Sequence, residues 1–348
     1  MAHDSQREDY QRMGLRFALE LDKNDPAGAT RAFATFGRRL AQDRDSLPQS
    51  DADRAFHLVA LATSVIDYQL PFASDAQAEE LIHRGRALLD EALSLDASCW
   101  DALRMRSSSQ IASVDERYHF LAERAETVRE DCEAERERMT EMLDGARAAL
   151  GATIAMRPYW RWLASMAEEA LICGRNRAAV EACEKLLASD PSDLSDARFT
   201  LAYALAKLED EEGLKRLRER YDEISPLRPA DDAWITLSEV ALAHKRCDFA
   251  AARAGLSRLL ASYPGCGFVL IRQAELPDGE FARLKVPPYG EDELIVAVSE
   301  GIVLLQEGND RSGKGVFGSW VARTVAELDP RAAAEAERMS RGEGVRKP

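Results

Sequence analysis

Residues 160–193, WRWLASMAEEALICGRNRAAVEACEKLLASDPSD, constrain this chain more than any other stretch, because they spell two amphipathic helices joined by a tight turn. Leu163, Met166, Ala167 and Ala170 share one face of the first helix, and Ala179, Cys183 and Leu186 share one face of the second. Small Ala167 and Ala179 let the helices approach closely, Gly174 closes the first, and Pro191 cannot continue the second. Such a hairpin leaves an apolar side that only a stacked neighbour can cover. Two further units follow. In residues 194–224, Ala197, Leu201, Ala204 and Leu208 face Leu214, Leu217 and Tyr221 across the polar turn Glu209–Glu212. The third runs from Trp234, Leu237, Ser238 and Ala241 to Ala252, Leu256, Leu259 and Pro264.

The spacing and period are those of the tetratricopeptide repeat, so the expected fold class is all-α, a tetratricopeptide-like right-handed α-solenoid of helical hairpins. Ala, Leu, Arg and Glu dominate while Val and Ile are sparse, which favours helix over strand. The expected organisation is an N-terminal helical region over 1–150, a repeat core over 151–265, an irregular segment with capping helices over 266–340 and a tail over 341–348. In the first region helices are expected near 6–22, 26–44, 51–69, 75–94, 99–111 and 114–148, with Asp25 capping Pro26 and capping boxes at Ser74/Gln77 and Ser113/Glu116. Late in the chain, Pro277, Pro287, Pro288 and Gly290 predict an irregular passage. Helix resumes near Glu291, with Leu294, Ile295, Val298, Ile302 and Leu305 on one face, and a final helix follows from about Gly315.

Four segments together, LDEALSLDASCWDALRM, the RPYWRWLASMAEEALICGRNRAAVEACEKLLASDPSD block, ALAKLEDEEGLKRLRERY and LPDGEFARLKVPPYGEDELIVAVSEG, resemble bacterial tetratricopeptide proteins related to the suppressor of tumorigenicity 7 family. Arg157, Pro158, Tyr159 and Arg161 match that family's entry to the repeat, while Leu194, Ser195 and Asp196 replace its usual Asn-rich turn. The resemblance implies a helical-repeat fold and an interaction role, with no chemistry to carry over. In proteins of this type the first helix of each unit lines a concave groove, which here implies Arg161, Ser165 and Glu168 from one unit and Arg198, Phe199 and Leu205 from the next. The arginines suit a carboxylate, and Phe199 with Leu205 suits an apolar side chain. Internal ion pairs, such as Arg161 with Glu168 or Glu169, are the competing reading of those arginines. Tyr159, Trp160 and Trp162 are expected to wedge packed hairpins.

The expected function is a non-catalytic scaffold binding a protein or peptide in that groove. The alternatives are an enzyme or regulatory subunit with a cryptic site, or a homo-oligomer built through the charged 117–148 stretch. A formal net charge of −15 disfavours nucleic acid and anionic lipid as partners. The sequence shows neither a membrane span nor a leader, so no membrane contact and a cytoplasmic location are expected. Six dispersed cysteines without a CxxC pair read as reduced thiols, and no metal or cofactor is expected. Gly313, Gly315 and Gly318 satisfy GxGxxG, but the preceding residues continue a helical period where a nucleotide site needs a strand, so a turn is the expected role.

Overall fold

Every element of regular structure among the described residues is helical, as the composition requires. The computed structural model describes residues 4–21, 26–70, 73–224, 231–274, 286–309 and 313–341. The chain divides into two compact units, His3–Ser165 and, beginning at Met166, the remainder.

The first unit contains α1 (Ser5–Leu19), α2 (Pro26–Gln42), a 3-10 turn (Arg44–Ser46), α3 (Asp51–Ile66), α4 (Asp75–Leu95), α5 (Trp100–Gln110), α6 (Val114–Met142) and α7 (Gly145–Ile172) up to Ser165. Local chemistry sets the helix starts. Ser50 and Asp53 form a reciprocal capping box on α3, and the Gln77 side chain accepts hydrogen bonds from both the amide and the hydroxyl of Ser74 at α4. The Ser113 hydroxyl accepts from the Glu116 amide at α6. Apolar residues at helical spacing then join α3, α4 and α5 through Ala55, Phe56, Val59, Leu89, Ala92, Ala102 and Met105. A smaller aromatic core of Phe17 and Phe36, with rings 5.1 Å apart, joins α1 to α2.

The second unit contains α8 (Asn176–Ser189), α9 (Ala197–Leu208), α10 (Glu211–Glu219), α11 (Tyr221–Ile224), α12 (Ala233–Lys245), α13 (Phe249–Ser262), α14 (Gly267–Arg272), α15 (Glu291–Glu300), α16 (Ile302–Leu305), α17 (Val316–Leu328) and α18 (Pro330–Ser340). Helices close in sequence pack together: α8 on α9, α9 on α10 and on α12 beyond it, and α12 on α13. The apolar positions of the three repeat units are interior, from Ala179, Cys183 and Leu186 through Leu201, Ala204, Leu214 and Leu217 to Leu237, Ala252 and Leu256. Beyond them α14 packs against α17 and α18.

Several boundaries differ from the sequence expectation. The helix expected over 114–148 ends at Met142, where Leu143 is extended and Gly145 takes φ +57, a left-handed conformation suited to glycine. A new helix starts there, and Pro158, expected at the entry to the repeat, lies inside α7. The apolar face from Leu294 to Leu305 is carried by two helices divided at Gly301. A short helix, α14, opens the passage expected to be irregular. Asp25, Pro277 and residues 342–348 lie outside the described residues.

Candidate functional site

Of the side chains expected to line a groove, Arg161, Arg198, Phe199 and Leu205 are buried inside the protein, while Ser165 and Glu168 are half-buried. In the first unit, Arg161 is buried and grips Asp101 through two hydrogen bonds of 2.6 and 2.5 Å, while its remaining arm reaches Glu8 at 3.0 Å. Glu8 is itself buried and also receives Arg12 at 2.8 Å and Arg157 at 3.3 Å. A fork-shaped guanidinium matches a carboxylate edge, which is why an arginine holds this position. Arg161 thus takes part in internal ion pairs with two acids distant in sequence, Asp101 and Glu8. Ser165 accepts a 3.1 Å hydrogen bond from Arg104, which also lies 3.9 Å from Asp101.

In the second unit, Arg198 is buried and pairs with Asp193 at 2.7 Å and Asp196 at 3.0 Å. Its guanidinium lies 4.2 Å from the Phe199 ring centre, and Phe199 stacks on Trp234 at 3.8 Å. Leu205 is buried, and Glu168 is half-buried and engaged. The two arginines and Phe199 therefore brace the helices that carry them. The aromatics near the repeat entry do the same: Trp162 is fully buried, donates to the Leu121 carbonyl at 2.8 Å and meets Trp100 edge-on at 5.8 Å.

Burial sets the electrostatics of these networks. Burial pushes the Asp101 carboxyl up, but the charges of Arg161 and Arg104 and the hydrogen bonds from Arg161 outweigh it and hold it below its ordinary 3.8. Burial opposes charge on Arg161 as well, and Asp101 and Glu8 more than restore it. The same balance, struck with Asp196 and Asp193, raises Arg198.

A cleft of about 720 Å³ opens in the first unit. Leu15 and Leu19 of α1, Met139 of α6 and Ile154 and Ala155 of α7 supply its apolar wall, and Trp100 adds an indole. Three guanidiniums border it, each already held: Arg12 by Glu8, Arg16 by Asp53 at 2.9 Å, and Arg138 by Glu135 at 2.6 Å. Asp131 accepts the Trp100 indole N–H at 3.2 Å and fixes the ring. Pro158 also borders the cleft; having no N–H, it leaves the carbonyl of Ile154 without its usual partner in the helix. Cys132 lies in the wall with its thiol pushed by burial up to about 12, so near neutrality it is a thiol and not a thiolate. Nothing in the motifs pointed to this cleft, because its lining is drawn from five separate stretches of the first unit.

The glycines at 313–318 serve packing. Gly313 turns the chain at φ +79, the Gly315 amide donates to the Leu305 carbonyl at 2.9 Å, and a side chain at Gly315 or Gly318 would collide with the carbonyl oxygens of Glu307 or Leu305. Lys314 donates to the Ile271 carbonyl at 2.5 Å. Among the described residues there is no cluster of three or more His, Cys, Asp or Glu side chains able to hold a metal, and no helix long and apolar enough to cross a membrane. No family model, curated protein or solved structure matches the chain.

Proposed function

We propose that the chain is a non-catalytic interaction scaffold built as a tetratricopeptide-like right-handed solenoid, and that it binds a protein or peptide segment in the cleft of its first unit. The cleft carries this reading. It joins an apolar wall to a rim of fixed polar groups, the combination by which pockets orient and select a guest. Its arginines are anchored by carboxylates and its tryptophan by Asp131, so a guest meets a surface already ordered and association costs little side-chain entropy. Support for the repeat architecture comes from the interior placement of the repeat's apolar positions and from the packing of α8, α9, α12 and α13 in chain order. Because the arginines expected in a groove are committed to internal carboxylates, recognition falls to the cleft.

Selection of a displayed random-peptide library on the intact chain tests this reading. Ala134 is exposed on α6 at the cleft, so Ala134→Trp plugs the space without touching the core. Enriched peptides should bind the parent chain and lose at least about tenfold in affinity, near 1.4 kcal/mol, on the plugged variant. Failure to enrich any peptide, or binding indifferent to the plug, would overturn the assignment.

A further inference from the structure

The second unit presents a cluster of aromatic rings at its surface, formed where the end of α12 and the starts of α13 and α17 meet. His244 sits at the centre, with Trp320 at 5.0 Å, Phe317 at 5.2 Å and Phe249 at 5.5 Å between ring centres. Phe317 is buried beneath, but Phe249 is 49% exposed and Val316 is 73% exposed, while Trp320 is half-buried. Large apolar side chains gathered at the surface cost solvation and mark contact sites, and aromatic residues dominate such contacts energetically.

Charge beside the rings narrows the occupant. On α17, Val316, Trp320 and Arg323 fall four and three residues apart and so share one face. Arg323 is exposed, and no carboxylate pairs with it among the described residues. On α13, Phe249 and Arg253 are four apart, and Arg253 reaches Glu327 of α17 at 2.7 Å. Arg246, beside the rings at the end of α12, pairs with Glu211. Arg246 and Arg253 thus hold carboxylates from elsewhere in the unit, whereas Arg323, with no carboxylate partner among the described residues, retains its capacity for another, in a chain whose formal net charge is −15.

We propose that this platform docks an acidic amphipathic peptide segment, its bulky apolar side chains covering Phe249, Val316 and Trp320 and a carboxylate one helical turn away pairing with Arg323. The site is separate from the cleft and does not depend on what the cleft binds. Such a helix-on-surface mode places anchors at spacings of three and four residues, which the spacing of Val316, Trp320 and Arg323 matches.

The test uses a fluorescent helix-forming probe of leucine and glutamate in which leucines line one face, with a lysine-for-glutamate counterpart and a scrambled control, titrated against the intact chain. The acidic probe should bind, and Arg323→Glu, a change at an exposed position, should weaken it at least about tenfold and improve binding of the lysine probe. Phe249→Ala should weaken the acidic probe while far-ultraviolet circular dichroism stays unchanged, and Ala134→Trp in the cleft should leave it unaffected. Equal binding of acidic and lysine probes, indifference to Arg323→Glu, or no binding would overturn the proposal. So would sedimentation showing a concentration-dependent dimer abolished by Phe249→Ala, which would assign the platform to a second copy of the chain.

Discussion

Arg161 shows how much a single side chain can hold. Truncation to alanine leaves Asp101 and Glu8 buried beside an empty volume, so Arg161→Ala should lower stability by about 3–5 kcal/mol in chemical denaturation. The acid limb should behave accordingly. The native Asp101 carboxyl is held below 3.8, so its contribution is fully present above that value and is lost as pH falls through the lower native value. Stability measured from pH 6 downward should therefore fall below about pH 4, and Asp101→Asn should flatten that fall. The thiols make a second residue-scale expectation. Cys99 and Cys132 are buried with thiols pushed up to about 12, and Cys183 is fully buried, whereas Cys247 is exposed at φ +61. A thiol reagent should label Cys247 in the native protein and reach Cys99, Cys132 and Cys183 only on unfolding, with the sites read by mass spectrometry. Burial of Ala179, Cys183 and Leu186 was legible because helical period encodes facing. The partners of Arg161 were not, since Asp101 and Glu8 stand 60 and 153 residues away and no spacing rule spans that distance.

Two helix starts were readable from their capping side chains, while the caps at Ser50, Asp232 and Asp248 were not singled out in the sequence. Ser74 with Gln77 and Ser113 with Glu116 act at the ends the sequence indicated. Pro158 misled, since a proline that usually opens a helix here sits within one, in a stretch rich in alanine that favours helix on both sides. It follows that Pro158→Ala restores a donor for the Ile154 carbonyl and should raise the melting temperature, with a stability gain of up to the roughly 3 kcal/mol that an interior proline costs. Gly315 argues the other way. Its missing side chain lets the start of α17 press on the backbone of residues 306 and 307, so Gly315→Ala should destabilise by about 1–3 kcal/mol in the same melts. The GxGxxG spelling was visible in the sequence, but the close backbone contact that explains two of its glycines was not.

At the scale of the whole molecule, the charge of −15 spreads a field that opposes polyanions. The chain should pass through a heparin column without retention and leave duplex DNA unshifted in a gel at near-physiological salt, and retention would point to a local basic surface outweighing that field. The all-helical class was legible because composition and period act along the whole chain. The cleft was hidden because it is assembled from α1, the start of α3, the turn before α5, and facing parts of α6 and α7. That assembly has a consequence in time. Glu8 is made before its partners, and Arg157 and Arg161 follow it by 149 and 153 positions. At ribosomal speeds of about 5–20 residues per second, α1 waits roughly 7–30 seconds for these cations to be synthesised. Throughout that interval the nascent chain carries an unfinished seam, and whatever shields it in the cell bears on how much of the protein reaches its mature form.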